Sequence, residues 1–418
     1  MVFRWFLQLI ILSLMAGCGS QSVISDPKEV PKLNGGKRVD IGFWHTYSEE
    51  ETLLLEQELI PAFEREYPKI KIQPLQLANN NEFKYTLISR NFSTGSPDVV
   101  RMDNAWVPGF SRLGLLRQLN KFPDFQETRS KFHPKDLDAG FYENHYYSLP
   151  LNTFTKVAIF NKELLNQAGY SVPPSSMEEV LKIAHKHGFT IGLGGYEAWN
   201  TLPYIYSLGG RLTNQDFTRA DGYLNGAATV RAVEQLLLLY KEKIIDFSVV
   251  TGGGDNWDGV KEGNILLTDE GPWFYSTLNA EELNKALKLT IPVPFPGNNG
   301  PASMVSGEHL VIPNGSKHPD EAWTFLKWMS GKEPQLIMSQ TGLVPSNVDA
   351  AEALKVSRES FVYPYLEAMD AAFLRVPPVK NWDEVDEVYT RYLKKIFLGE
   401  IIVKNGLDRA AAEIDRLL

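Results

Sequence analysis

The sequence predicts an α/β protein of two folded units, on three observations. Short apolar runs of strand length alternate with amphipathic helical stretches along most of the chain. The 418 residues are enough for two domains of about 150–200 residues each. Proline and glycine crowd into residues 291–301 (IPVPFPGNNGP), which reads as a crossing between units rather than a core element.

In chain order, residues 38–45 (RVDIGFWH) form a short apolar run with the character of a buried strand. Leu53, Ile60, Phe63 and Tyr67 then recur on one helical face, with Pro68 closing the helix and Pro61 predicting a kink or break. Ile70 and Ile72 alternate as a strand does, and residues 98–102 (DVVRM) make another, followed by a helix toward Gly114. Beyond Pro150 the rhythm repeats. Residues 156–160 predict a strand, and 162–168 a helix stopped at Gly169. Ser176 precedes Glu179 at capping-box spacing for a helix reaching Lys186. Val230, Val233, Leu237 and Tyr240 mark one further amphipathic helix; Ala322, Phe325 and Met329 mark another, opening after Pro319. The alternation argues for parallel sheets with helices on both faces. No internal repeat of solenoid period is present.

The first residues address the chain to the cell envelope. Arg4 supplies a positive start, and residues 5–15 are almost wholly apolar, too short for a spanning helix but right for a signal peptide. Ala16 and Gly17 then precede Cys18, the only cysteine in the chain. A lone cysteine is ordinarily a small buried hydrophobe. Here it stands where a signal peptidase would cut, and the segment resembles a bacterial lipobox, with Met15 where leucine is usual. A lipidated Cys18 would be the mature N-terminus, anchored by acyl chains that each bury about 0.8 kcal/mol per methylene. Residues 19–37, rich in Ser, Pro, Gly and Lys, read as a flexible tether reaching on the order of 25 Å. No other stretch approaches transmembrane length.

Composition narrows the function. Hydrophobic residues at 43% and charged residues at 22% suit a globular protein with substantial cores. A formal charge of −9 argues against nucleic acid, whose phosphates it would repel. Disulfides within the chain are excluded by the single cysteine.

Several blocks resemble the family 1 extracellular solute-binding proteins of ABC importers, the group that includes maltodextrin-binding proteins. They are residues 59–72 (LIPAFEREYPKIKI), 96–119 (SPDVVRMDNAWVPGFSRLGLLRQL), 146–180 (YYSLPLNTFTKVAIFNKELLNQAGYSVPPSSMEEV), 267–276 (LTDEGPWFYS), 307–330 (GEHLVIPNGSKHPDEAWTFLKWMS) and 342–347 (GLVPSN). The resemblance covers nearly the whole chain after the tether. It implies a two-lobed periplasmic-binding-protein fold of type II, with ligand held in an interlobe cleft flanked by hinge crossings. Residues 38–151 plus 296–362 would form the N-terminal lobe, and 152–295 plus 363–418 the C-terminal lobe. It also implies a monomeric receptor that takes a carbohydrate, docks on membrane permease subunits and needs no cofactor.

Sugars present hydroxyls around patches of C–H, so a site needs aromatic faces together with charged or amide groups. Nine tryptophans and seventeen tyrosines supply the first kind. Trp273, after Gly271 and Pro272 at a strand-to-helix turn, resembles a family tryptophan that stacks on sugar; the alternative is a cap on the core. Glu197 and Trp199 align with a family glutamate and aromatic lining the cleft, against an ordinary exposed loop. Asp103 and Trp106 follow a strand end; some relatives carry a sugar-binding acid there, and an aspartate before a helix is equally an N-cap. His45, Thr46 and Tyr47 are expected to point at the cleft mouth. Glu308 and His309 are placed in a return loop, and Arg375 where some relatives hold a ligand-contacting arginine. The chain departs from the maltodextrin pattern at Phe154, where those relatives have a carboxylate and Asn152 lies nearby. Maltose itself is therefore disfavoured.

Other signals are weaker. Residues 251–254 (TGGG) lack a following Walker lysine and read as a loop. His185 and His187 are two apart on a helix and face different sides, so no metal site is expected. The function classes left open are a non-catalytic sugar receptor, a secreted glycosidase using a carboxylate pair such as Asp103 and Glu197, and a receptor for another solute such as a polyamine.

Overall fold

The computed structural model describes residues 38–78, 81–91, 95–247, 256–297, 302–354, 360–370, 374–375 and 381–418. The signal segment with Cys18, the tether of residues 19–37 and the 251–254 run lie outside these. Among the described residues no helix is long and apolar enough to cross a membrane.

The chain first lays down β1 (Val39–His45), β2 (Ile70–Gln76) and β3 (Val99–Asp103), then a hairpin of β4 (Phe141–Tyr142) and β5 (His145–Tyr146), then β6 (Ser148–Thr155). It passes at Lys156 into β7 (Val157–Asn161), β8 (Thr190–Leu193), β9 (Ile245–Phe247), β10 (Ile265–Glu270) and β11 (Thr290–Val293). It then comes back through β12 (Met304–Val311), β13 (Val344–Pro345) and β14 (Leu374–Arg375). Two principal sheets result. One runs β13-β6-β12-β3-β1-β2 with β14 beside β12, the other β11-β7-β10-β8-β9.

The alternation predicts parallel sheets; both sheets are mixed. β1 pairs parallel with β2 and β3, and β8 parallel with β9 and β10, as strand–helix–strand units require. The chain leaves the first sheet along β6 and returns along β12, so β12 lies antiparallel between β6 and β3. The proline-rich run is likewise not all crossing: its first residues belong to β11, which pairs antiparallel with β7.

Each sheet is covered on both faces, as near-continuous apolar strands demand. Val99 packs in one core with Ile41, Phe43, Phe63 and Phe325, and Val100 in another with Phe83, Leu87 and Phe110. In the second sheet Ala158 and Phe160 face a core that includes Trp382, Tyr389 and Ile414 of the C-terminal helices. Val157 and Ile159 face Phe274, Tyr275 and Tyr365.

Local signals explain several helix ends. Ser48 Oγ accepts from the Glu51 N–H while Glu51 Oε2 accepts from the Ser48 N–H, closing a capping box. The helix it opens meets Pro61 through a π-helical turn, Leu55–Leu59, before resuming as Ile60–Glu66. Ile60 N–H bonds five residues back to Leu55, which admits the proline without a break. The capping box expected at Ser176 is only half formed. Ser176 Oγ accepts from Glu179 N–H, but the Glu179 carboxylate accepts from the Tyr170 hydroxyl instead. That helix, Met177–His187, stops at Gly188 with φ +69°, a left-handed conformation that glycine adopts without strain. The stripe on helix Ala227–Lys241 is centred on Thr229, Val233 and Leu236 rather than on Val230 and Leu237. Helix Pro319–Met329 buries Ala322, Phe325 and Met329 as its spacing predicts.

The first helical face is also shifted. Leu53 is 53% exposed, whereas Phe63 is buried with its ring stacked 5.0 Å from Tyr67 and edge-on to Phe325. Phe63→Ala is expected to cost about 3–5 kcal/mol. Leu53→Ala should stay within about 0.5 kcal/mol of wild type. Urea unfolding of the two variants checks the pair.

Candidate functional site

Phe154, next to last in β6, comes together with Trp199 and Trp273 where the two sheets meet. Its ring stands edge-on to both, 5.7 Å from Trp199 at 86° and 5.2 Å from Trp273 at 79°. The two indoles lie 6.4 Å apart and only 28° from parallel. Both tryptophans are half-buried, so each keeps surface for a partner.

Local sequence builds this group. Trp273 opens the short helix Trp273–Ser276 directly after β10, and its ring folds back over Gly271. A Cβ at Gly271 would fall 2.4 Å from that ring, so only glycine permits the placement. The Gly271 carbonyl accepts from the Tyr365 hydroxyl at 3.0 Å. Trp199 lies in the first turn of helix Ala198–Ser207. Beneath it, Lys156 is buried in an ion pair with Asp269 at 2.6 Å. Its ammonium also donates to Asn200 Oδ1 at 3.1 Å and to the Trp199 carbonyl at 3.3 Å, and lies 5.2 Å from the Trp199 ring centroid. The other Asp269 oxygen accepts from Tyr204 at 3.0 Å. Next along β10, Glu270 accepts from Trp257 Nε1 and the Gly271 N–H, while burial raises its carboxyl above the usual range.

A groove of about 830 Å³ adjoins this cluster through Glu197, with Lys84, Tyr85 and Trp106 on one wall and helix Trp382–Phe397 on the other. Glu197 is exposed at the N-cap position of helix Ala198–Ser207, and its Oε2 accepts from Asn200 at 3.0 Å. The helix is capped from outside: Asp386 Oδ1 accepts from the Ala198 N–H at 2.8 Å. Burial pushes the Asp386 carboxyl up to about 6. Trp106 carries the Lys84 ammonium 5.6 Å from its ring centroid, and Phe110 lies nearly parallel on it at 6.5 Å. Lys84 also pairs with Asp383, and Arg112 with Glu384 at 3.5 Å, so both pairs link the first segment to the C-terminal helix.

Asp103, Glu308 and Tyr47 belong to a different setting. Glu308 is not in a loop: it lies within β12, opposite Asp103 of β3 and Asn152 of β6. Its carboxylate meets the buried Arg101 at 3.1 Å and accepts from Asn152 Nδ2. Arg101 also donates to Thr46 Oγ1 at 2.7 Å and lies 4.3 Å from the centroid of the Tyr47 ring. Tyr47 is buried rather than turned toward a cleft mouth, and so is His45. Burial and the neighbouring Arg101 charge hold the His45 imidazole down at about 4. His309 also lies in β12, buried against Ser148 Oγ at 2.7 Å, with burial lowering it to about 3. Asp103 acts as an N-cap, accepting from the Ala105 N–H at 2.8 Å. Arg375 stands in β14 beside Val305 of β12. His185 pairs with Glu242 at 3.2 Å, and among the described residues no group of three metal-ligating side chains occurs.

Residues 48–336 match the family described as bacterial extracellular solute-binding protein. The chain belongs to that family. An uncharacterized ABC transporter extracellular-binding protein of Pyrococcus horikoshii is 24% identical, covering 97% of this chain and 92% of its own. The maltotriose-binding protein of Pyrococcus abyssi is 22% identical over 66% of this chain and 61% of its own. Among solved structures, the GacH receptor of Streptomyces glaucescens, known unliganded and with acarbose, superposes with a TM-score of 0.79 at 26% identity. It covers 91% of this chain and 98% of that one. Maltose-bound MalE3 of T. maritima gives a TM-score of 0.76 at 20% identity, covering 91% and 100%. The fold is therefore that of the type II periplasmic binding proteins. These relatives are binding proteins and receptors rather than enzymes, and the family is extracytoplasmic.

In this solute-binding protein, sequence reasoning missed Lys156, Asp269 and Asp386. A lysine heading an apolar strand, and an aspartate ending another, are visible in TKVAIF and ILLTDE. Two such charges inside apolar runs signal a buried pair, because neither is tolerated alone. Nothing local marks Asp386, whose partner is 188 residues away.

Burial also pushes Asp103 up to about 7, against about 3.9 in an unfolded chain. Between these values the folded state keeps a proton that the unfolded state releases. The stability so contributed is present below pH ~4 and lost as pH rises through ~7. An asparagine in its place would still cap the helix and could not ionise. Asp103→Asn should therefore gain on wild type as pH goes from about 4 to 7, by at most about 1.4 kcal/mol per pH unit. Urea unfolding across a pH series measures it; a pH-independent difference would contradict the shift.

Proposed function

We propose that this chain is the substrate-binding component of an ABC importer, taking a sugar or oligosaccharide and delivering it to a membrane permease. The observation that carries the reading is the meeting of Phe154, Trp199 and Trp273, with Glu197 two residues from Trp199. Indole faces suit the C–H patches of a pyranose, and the exposed carboxylate suits its hydroxyls. Relatives named for maltotriose and maltodextrin, and a receptor solved in complex with acarbose, support the same class. An aromatic where maltodextrin-binding relatives have an acid points to a sugar other than maltose, and tells against a polyamine, which would want carboxylates.

The ligand would sit between an N-terminal lobe of residues 38–151 plus 296–362 and a C-terminal lobe of 152–295 plus 363–418. Contact with both lobes only when they are closed would supply the bias toward closure. The protein would act as a monomer without a cofactor and release its ligand chemically unchanged. Asp103 supports no glycosidase reading, since its carboxyl is taken up in capping a helix.

Trp273→Ala is expected to weaken sugar binding at least about tenfold, and Glu197→Gln by a similar factor. The unfolding temperature of the ligand-free protein should hardly move. Thermal-shift screening against a carbohydrate library finds the ligand, and calorimetry on the two variants tests the roles. Normal binding by Trp273→Ala would remove the indole from the site.

Cys18 would carry the lipid anchor, with residues 19–37 as tether. Cys18→Ser, expressed in a native-like bacterial host, should leave the membrane fraction; unchanged partitioning would refute the anchor.

A further inference from the structure

Helix Trp382–Phe397 and helix Val403–Ile414 pack on one core and are joined by residues 398–402 (LGEII). The turn between them is firmly built. Gly399, at φ +76°, donates its N–H to the Ile396 carbonyl at 3.0 Å, and Glu400 donates to the Lys395 carbonyl at 2.9 Å. Together these close the first helix as a Schellman motif. Ile401 packs inward against the core. Leu398 and Ile402 are held outward, 48% and 67% exposed.

Folding asks for neither of them. Single exposed aliphatic residues are ordinary. Here two stand on one short turn, and Ile402 occupies the N-cap of the second helix. Serine, threonine, aspartate or asparagine would bond a free backbone N–H at that position, and Ile402 makes no such bond.

Charge at this tip runs against that of the whole chain. The sequence has a formal charge of −9, yet residues 394–404 hold three lysines and one glutamate. Lys394 and Lys395 are exposed, and among the described residues neither forms an ion pair; Lys395 lies 5.7 Å from the centroid of the Tyr392 ring. Lys404 pairs with Asp408. Lysines in a last turn also suit the helix dipole, which accounts for their sign but not for the aliphatic pair beside them.

We infer that this tip is a membrane contact, in which Leu398 and Ile402 enter the headgroup boundary of a bilayer while Lys394 and Lys395 meet anionic lipid phosphates. Exposed apolar residues flanked by lysines are the composition of an interfacial contact. Two aliphatic side chains fall far short of the roughly 800 Å² per partner that a stable protein interface buries. The contact is weak alone and serves a chain already held at the surface, so its physiological use rests on the lipid-anchor reading above. Lys394, Lys395, Leu398 and Glu400 also edge the groove beside Glu197, and docking turns that edge toward the bilayer.

The test couples the chain from residue 18 onward to vesicles through the thiol of Cys18, its only cysteine, using a maleimide lipid. Natural lipidation is then not required. One set of vesicles is phosphatidylcholine, a second is equal parts phosphatidylcholine and phosphatidylglycerol, and a third sample is native bacterial membrane. Hydroxyl-radical footprinting read by mass spectrometry reports each side chain. Leu398 and Ile402 should be protected on the anionic vesicles and not on the neutral ones. Leu238, 56% exposed on helix Ala227–Lys241, should label equally on both. Lys394→Gln combined with Lys395→Gln should lower the docking equilibrium about thirtyfold and restore labelling, with the unfolding temperature unchanged. Equal labelling of Leu398 and Ile402 on neutral and anionic vesicles overturns the contact and leaves the lipid anchor untouched. Protection in native membrane alone also overturns it, and gives the tip to a protein partner.

Discussion

The ion pair between Lys156 and Asp269 fixes the geometry on which the site depends. Both side chains are almost wholly buried, 1% and 0% exposed. An ammonium so placed costs several kcal/mol in lost hydration unless its donors are all used. Lys156 donates to Asn200 Oδ1 and the Trp199 carbonyl, and the Asp269 carboxylate balances its charge. Lys156 stands in the crossing between sheets and its partners at the end of β10 and the start of helix Ala198–Ser207, so satisfying one charge holds three segments in register. Trp199 is thereby set on one side. Asp269 is four residues before Trp273, with the Gly271 turn between, so the second indole is placed by the same pair.

Arg101 plays the corresponding part in the first sheet, with a different outcome. Its buried guanidinium gathers Glu308, Thr46, Asn152 and the face of Tyr47. Groups of the residue types that bind sugars are thus consumed in stabilising the sheet. Burial distinguishes the two sets: Tyr47 is closed off, whereas Trp199 and Trp273 keep open faces. A strand end rich in His, Tyr and Asp is therefore weak grounds for a site until its internal partners are known.

The C-terminal helix Trp382–Phe397 belongs to both the scaffold and the site. Its buried face, with Trp382, Val385 and Tyr389, completes the core over the second sheet. From the same helix Asp386 caps helix Ala198–Ser207 and so positions Glu197, while Asp383 and Glu384 pair with Lys84 and Arg112. Packing of an apolar stripe and placement of polar groups cannot be separated in such an element, because one helical register sets both.

The sequence by itself determined the alternation of strands and helices and the ends of helices at Gly169, Ser176 and Pro319. These follow from local periodicity and from backbone preferences that act over a few residues. It also marked the GPW turn, whose glycine is required by a contact two residues away. Tertiary structure decided the rest. Strand direction at β12 depends on where the returning chain is inserted, which no local pattern encodes. Whether Phe154 meets Trp199 and Trp273, and whether Tyr47 and Glu308 face inward, depends on partners tens to hundreds of residues distant. Side-chain chemistry is written in the sequence, but a group becomes a binding surface only where folding leaves it without an internal partner.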